Sequence, residues 1–196
     1  MTVPPDVNRC GWVSDDEEYK FYHDTHWGRP EMDDISLFAK LCLDGQQAGL
    51  SWITILKKQK NYETLFHQFD PEKIAHMGEQ DVERLMQEPG IIRNRLKIKG
   101  IIANAKAYLT ITENMSFRDY IWQFTDHKTI INSWQNYKDA PVSSAESVLM
   151  AKALKKAGFK FVGETICYAY MQAVGMVNDH TVTCHCYQPC CEEARR

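Results

Sequence analysis

A chain of 196 residues that is 44% hydrophobic and 25% charged can bury one substantial core, and its net charge of -3 argues mildly against a generic nucleic-acid-binding surface. No stretch approaches the roughly 20 apolar residues of a membrane span, and the opening MTVPPDVNRC lacks the apolar run of a signal peptide. A soluble cytoplasmic protein with no membrane partner is therefore expected, and in a reducing cytoplasm seven cysteines, an odd number, speak against a full disulfide framework.

Apolar residues recur at three and four far more than at two, which predicts a mainly α protein. In chain order, RCGWVSDDEEYKFYHDTHWG comes first and gathers Trp12, Tyr19, Phe21, Tyr22 and Trp27. A helix there places Tyr19 and Tyr22 on one face with His23; Phe21 and Trp27 read as a small aromatic core. The next helix is predicted from about Asp34 to Leu43, with Leu37, Phe38, Leu41 and Cys42 inward. LCLDGQQAGLSW then interrupts the apolar pattern. Asp44 behind a buried helix suits either a pocket or a surface end, and the neighbouring glycines favour the pocket because they let a ligand approach the backbone.

Further helices are expected to start near Ser51, Pro71 and Glu79. A long one follows Pro89 and Gly90, with Ile91, Ile98, Ile101, Ile102, Ala105 and Leu109 on its apolar side. In PVSSAES, the spacing of Ser143 and Glu146 predicts a capping box before Val148, Leu149 and Leu154, on a helix ending near Gly158. The last predicted helix runs from Val162 to Val174 and stops at Gly175; Ile166, Cys167, Tyr170, Met171 and Val174 share one side. Cys42 and Cys167 read as core residues. Without repeats or long polar linkers, the chain reads as one domain.

The charge is segregated along the chain. Acids cluster in SDDEEY, EMDD and EQDVERLMQE, while RNRLKIKGIIANAK and KALKKAGFK are basic. DVERLMQEPGIIRNRLKIKGIIANA reads as helix, Pro-Gly turn, helix, and the second helix opens with backbone N–H groups able to hold a phosphate, the physics of a helix-hairpin-helix element. Such elements often carry a second glycine where Ile92 stands, so this segment alone fits an ordinary helical hairpin with a solvated basic face better.

Near the C-terminus, NDHTVTCHCYQPCC concentrates histidine and cysteine. His180 and Cys184 are four apart, which brings both to one side of a helical turn or tight loop, but a structural zinc site needs about four ligands. Cys10 and His23 can complete a Cys2His2 set that pins the chain ends together, with His26, His185 and Cys186 as substitutes.

RCGW, YHDTHWG, GQQAGLSWITILKK, EPGIIRNRLKI, KKAGFKFVG and NDHTVTC, in this order from about Arg9 to Tyr187, together resemble the bacterial 3-methyladenine DNA glycosylase I family. The resemblance implies a mainly α helix-hairpin-helix DNA glycosylase fold over residues 1–187, with a flexible tail over 188–196. It implies one structural Zn2+ on Cys10, His23, His180 and Cys184, joining the N- and C-terminal segments; a closed set of this kind leaves no open position for an activated water. Cys186, Cys190 and Cys191 acquire no role from it.

The implied reaction is hydrolysis of the N-glycosidic bond of 3-methyladenine, flipped out of alkylated double-stranded DNA by a monomer and released as the free base. Asp44 and Tyr22 take the catalytic positions, and Trp52, Tyr19 and Trp12 the base-binding ones. Gly49, Leu50, Ser51, Gly90 and Arg93 are implied to face DNA, Leu50 either filling the vacated space or sitting in the core. Where the family has a glutamate, this chain has Asp44, one methylene shorter, which predicts base recognition with weaker selectivity. No lysine is marked as a Schiff-base nucleophile; Lys57, Lys58 and Lys60 read as phosphate contacts or a solvated face, so no lyase activity is expected.

One rival reading is a non-catalytic, zinc-stabilised binder of damaged or distorted DNA, against which the four aromatics Trp12, Tyr19, Tyr22 and Trp52 count. The other, a redox or metal-buffering protein built on the last cysteines, leaves LDGQQAGLSW unexplained.

Overall fold

The computed structural model describes residues 6–195; Met1 to Pro5, part of the N-terminal stretch read as carrying no leader, and Arg196 lie outside them. The helices are α1 (Glu17–Thr25), α2 (Asp34–Gln47), α3 (Trp52–Leu56), α4 (Gln59–Leu65), α5 (Pro71–Ala75), α6 (Glu79–Leu85), α7 (Arg95–Thr112), α8 (Phe117–Trp122), α9 (Ala145–Ala157), α10 (Glu164–Ala173) and α11 (Tyr187–Glu193). Two short strands, β1 (Ile130–Ile131) and β2 (Val177–Asn178), pair in parallel, with Ile130 opposite Val177. They tie the stretch after α8 to the stretch after α10. Nothing in their two-residue lengths rises above the helical pattern of the sequence. No helix among the described residues is long and apolar enough to cross a membrane.

Helix α2 is the centre of the core and packs against α3, α7, α8 and α10. Its predicted inward residues Leu37, Phe38, Leu41 and Cys42 are buried, the large ones each contributing about 1.5–3 kcal/mol of apolar burial. Asp33 caps it by accepting a hydrogen bond from the Ser36 amide. The helix does not stop at Leu43: it continues to Gln47, so Asp44 lies inside it, one turn beyond Lys40, and the two side chains pair. Gly45 lets this last turn pack closely on Phe161, because a Cβ there would come within 3.2 Å of it.

Three other boundaries differ from the sequence reading. Helix α7 begins at Arg95, since the Asn94 side chain caps it through the Lys97 amide and leaves Ile91 to Arg93 in the turn. The cap of α9 is Ser144, exchanging hydrogen bonds with Ser147, in place of Ser143 with Glu146; Val148 and Leu149 are exposed. Helix α10 starts at Glu164 with Tyr168 buried beside Cys167. Gly175 does follow it in a left-handed conformation, φ 73°, with Arg29 and Pro30 so near that no side chain fits.

Of the expected flexible tail, Gln188 to Glu193 are helical: they form most of α11, which packs on β2 and buries Cys190 and Cys191. All seven cysteines are free thiols. The basic stripe at the start of α7 is mostly spent within the protein: Arg95 pairs with Glu79 and Glu83, Lys99 pairs with Glu79, and Lys97 is buried.

Candidate active site and metal cluster

Four residues from the two chain ends converge in the interior. The ligand atoms of Cys10, His23, His180 and Cys184 all lie within 4.8 Å of one another, and all four residues are buried. Cys10 Sγ and Cys184 Sγ each stand 3.5 Å from His180 Nδ1, and Cys184 Sγ is 3.5 Å from His23 Nε2. A tetrahedral ion with metal–sulfur bonds of about 2.3 Å and metal–nitrogen bonds of about 2.0–2.1 Å has sulfur–nitrogen edges of about 3.5 Å. The donor set and its spacing therefore fit a metal ion.

The groups behind the ligands fit it too. His180 Nε2 donates to the Trp27 carbonyl at 3.1 Å, which leaves Nδ1 free to ligate. His23 Nδ1 faces Asp24 Oδ1 at 2.8 Å, leaving Nε2 free. Asp24 also holds Arg9 at 2.7 Å and His185 at 2.9 Å. Burial works against ionisation of Asp24, but the hydrogen bonds from Arg9, His23 and His185 outweigh it and hold the carboxyl at about 2. Of the substitutes, His26 is exposed and outside the cluster, and His185 is committed to Asp24. Cys186 is buried beside it, and with His23, Asp24 and His185 forms a second close group.

A cavity of about 310 Å³ opens on the other side of the same aromatic wall, within the range of small-molecule sites, roughly 300–1,000 Å³. Trp12, Tyr19, Tyr22, Asp44 and Trp52 all line it. Helix α1, capped by Asp16, presents Tyr19 and Tyr22. Trp12 packs at 5.1 Å from Tyr19 and 5.0 Å from Trp27, and Tyr22 at 5.3 Å from Trp52. The pocket is thus walled by rings and floored by a carboxylate.

Asp44 is buried, and burial pushes its carboxyl above the usual range despite the pull of Lys40. Burial likewise lowers Lys40 and raises Tyr22 well above its ordinary value. Among the described residues, two buried polar atoms in this wall have no hydrogen-bond partner: Asp44 Oδ2 and Trp52 Nε1.

The opposite wall was missed by the sequence reading. It contains Tyr168, Gln172 and Asp179, whose carboxylate accepts hydrogen bonds at 2.7–2.8 Å from Tyr168, Gln172, Asn132 and Trp134. Asp179 lies in NDH next to His180, and Tyr168 and Gln172 are four apart on α10; both were signals. Lys40 was also missed, being read only as part of an apolar helix.

Gly49, Leu50 and Ser51 form an exposed loop between Gln47 and Trp52, both of which line the cavity, so the loop stands at its rim. Gly49 takes φ 78°, a left-handed conformation suited to glycine. Leu50 is 41% exposed and is not a core residue. Lys97 fixes the loop from below, its ammonium donating to the carbonyls of Gln46 and Ala48, both at 2.7 Å. Gly90 sits in the turn between α6 and α7, so close to Asn61 that a Cβ would meet its side chain at 2.9 Å, and Arg93 is exposed. Of the three lysines, Lys58 donates to the Pro89 carbonyl of that turn and Lys57 pairs with Asp16.

The chain is thus a helical protein with a ring-walled cavity, a buried carboxylate and a Cys/His cluster behind the same aromatic wall. Comparison with known proteins is specific. Residues 12–187 match the family model of methyladenine glycosylase. DNA-3-methyladenine glycosylase 1 of Escherichia coli (strain K12) is 56% identical over 182 residues, covering 92% of this chain and 97% of that protein. A crystal structure of 3-methyladenine DNA glycosylase I superimposes with a TM-score of 0.91 at 55% identity, covering 92% of this chain and all of that one. A variant of 3-methyladenine DNA glycosylase I in complex with 3-methyladenine gives a TM-score of 0.89 at 36% identity, covering 92% and 98%. The chain belongs to the methyladenine glycosylase family.

Proposed function

We propose that the cavity receives a 3-methyladenine flipped out of duplex DNA and that the chain hydrolyses its N-glycosidic bond in base-excision repair. The observation that carries this reading is a buried carboxylate oxygen without a partner in a ring-lined wall, the acceptor Asp44 Oδ2. Leaving such an acceptor unsatisfied costs about 1–3 kcal/mol, which a donor on the edge of a stacked purine relieves. Identity of 56% to an enzyme bearing the glycosylase name supports the same reaction.

Methylation at N3 makes the base cationic. As water attacks C1′, the bond to N9 breaks with its electron pair going to the base, which leaves neutral, and the water proton passes to solvent. The reaction asks little of the protein beyond selecting and holding the base. Tyr19, Trp12 and Trp52 supply stacking surface, at roughly 1–3 kcal/mol per contact. Tyr22, kept protonated by burial, supplies a phenol near the base, and Asp44 reads its edge. Leu50 at the rim fills the gap left in the duplex.

Phosphate contacts fall to the exposed Arg93 and to the Gly90 turn, acting as a helix-hairpin-helix element, and one monomer suffices for one duplex. Cys10, His23, His180 and Cys184 would hold one Zn2+, which would cross-link the chain ends and, with four protein donors, would leave no open position for an activated water. No lyase step is assigned, because a base that leaves as a neutral molecule needs no amine nucleophile to break its bond.

The test is release of free bases from methylated duplex DNA by zinc-loaded protein, followed by chromatography. Release of 3-methyladenine with little 7-methylguanine, and no covalent complex trapped by borohydride on abasic DNA, is the expected outcome. Folded, metal-loaded protein that binds DNA and releases neither base would return the non-catalytic binder to first place.

A further inference from the structure

Lys40 is the anomaly of the cavity. Its ammonium lies over the Trp52 ring, 3.8 Å from the centroid, and 5.9 Å from the centroid of Tyr22. It also donates to Asp44 Oδ1. These are three of the groups that the base-binding reading gives to the purine. A half-buried lysine ammonium therefore occupies, within the protein itself, the ring face and the carboxylate that a ligand would need.

The arrangement is built by the sequence. Lys40 and Asp44 are one turn apart on α2, so the helix aims both side chains at the same place, and Trp52 follows at the start of α3. A cation over tryptophan in a desolvated site is worth about 2 kcal/mol or more. Any flat ligand that stacks on this face of Trp52 has to break that contact and expose Asp44.

We infer that Lys40 is a specificity-determining residue, a resident cation that holds the place of the base on Trp52 and Asp44 until a cationic base displaces it, and that retakes the place when the base has become neutral. The inference rests on the base-pocket reading. A positively charged 3-methyladenine replaces the lost charge beside Asp44 and the lost contact on Trp52 together. A neutral purine replaces neither. The free base left after bond cleavage is neutral, so the returning ammonium competes with it and favours its release.

The direct test is binding of free 3-methyladenine, followed by tryptophan fluorescence and calorimetry, to the unaltered protein, Lys40→Met and Lys40→Arg, each checked for its melting transition. Lys40→Met removes the competing charge and should bind the free base at least about tenfold more tightly, the size expected when a cation–π contact no longer has to be broken. Lys40→Arg keeps the charge and should stay within about threefold of the unaltered protein, on the same reasoning.

A second measurement needs no variant. The Lys40 ε-methylene protons, shifted upfield by the Trp52 ring, should move toward ordinary lysine positions as the unaltered protein is titrated with 3-methyladenine. Unchanged or weaker binding by folded Lys40→Met, or lysine signals that stay put while the base binds, overturns the role of Lys40 and leaves the glycosylase reading standing. Absence of binding to every form removes the base pocket, and the inference with it.

Discussion

The Cys/His cluster and the ring-lined cavity are neighbours that share a wall: Trp27 gives its carbonyl to His180 and its ring to the cavity, and Trp12 lies edge-on to His23 at 5.3 Å. Their polar groups are completed differently. In the cluster, the second ring nitrogen of each ligand histidine has a partner, and Asp24 is held from three sides. In the cavity, Asp44 keeps one oxygen unpartnered and Trp52 its N–H. A site that serves the fold closes its hydrogen bonds within the chain, because any open valence there destabilises it. A site that serves a reaction keeps a few open, and the ligand completes them.

Breaking the closed site should have the largest effect. Cys184→Ser removes one of four ligands of the proposed zinc and should lower stability by several kcal/mol, lowering Tm by about 10 °C or more. A thermal melt with metal content measured on the same sample checks it; loss of activity at unchanged Tm would move the metal from scaffold to chemistry.

Asp24→Asn is the next step down. It leaves the four ligands in place but replaces the carboxylate behind His23, and should weaken metal retention by about 10–100-fold in competition with a chelator. Retention equal to the unaltered protein would show that Asp24 serves Arg9 and His185 alone.

The smallest effect sharpens the open site. Asp44→Glu restores the longer acid of the family and should strengthen 3-methyladenine binding by a few-fold, up to about 1 kcal/mol. Equal or weaker binding would mean that the pocket, with Lys40 already seated on Asp44, has adapted to the shorter side chain.

Much of this was legible along the chain, and particular residues show where legibility ends. The core face of α2 followed from the three-and-four spacing of Leu37, Phe38 and Leu41, which burial rewards whatever the partner. The cap of α9 was read one residue early, since Ser143 and Ser144 are both good cap residues and only the bond between Ser144 and Ser147 separates them. The basic run after Gly90 looked like an exposed face. Glu79 and Glu83 come to it from α6, and block charges separate in sequence become ion pairs in space.

Two kinds of information remain. The sequence by itself determined the helical class, the family, the aromatic set Trp12, Tyr19, Tyr22 and Trp52, and the pool of metal donors, because these depend on residue type and local spacing. Only the tertiary structure decided that Cys190 and Cys191 are buried, that Leu50 stands exposed at a cavity rim, and that Lys40 is seated on Trp52. The physical reason is that these depend on distances between segments, set by how the helices pack, and helical periodicity records only that a face is buried, never against what.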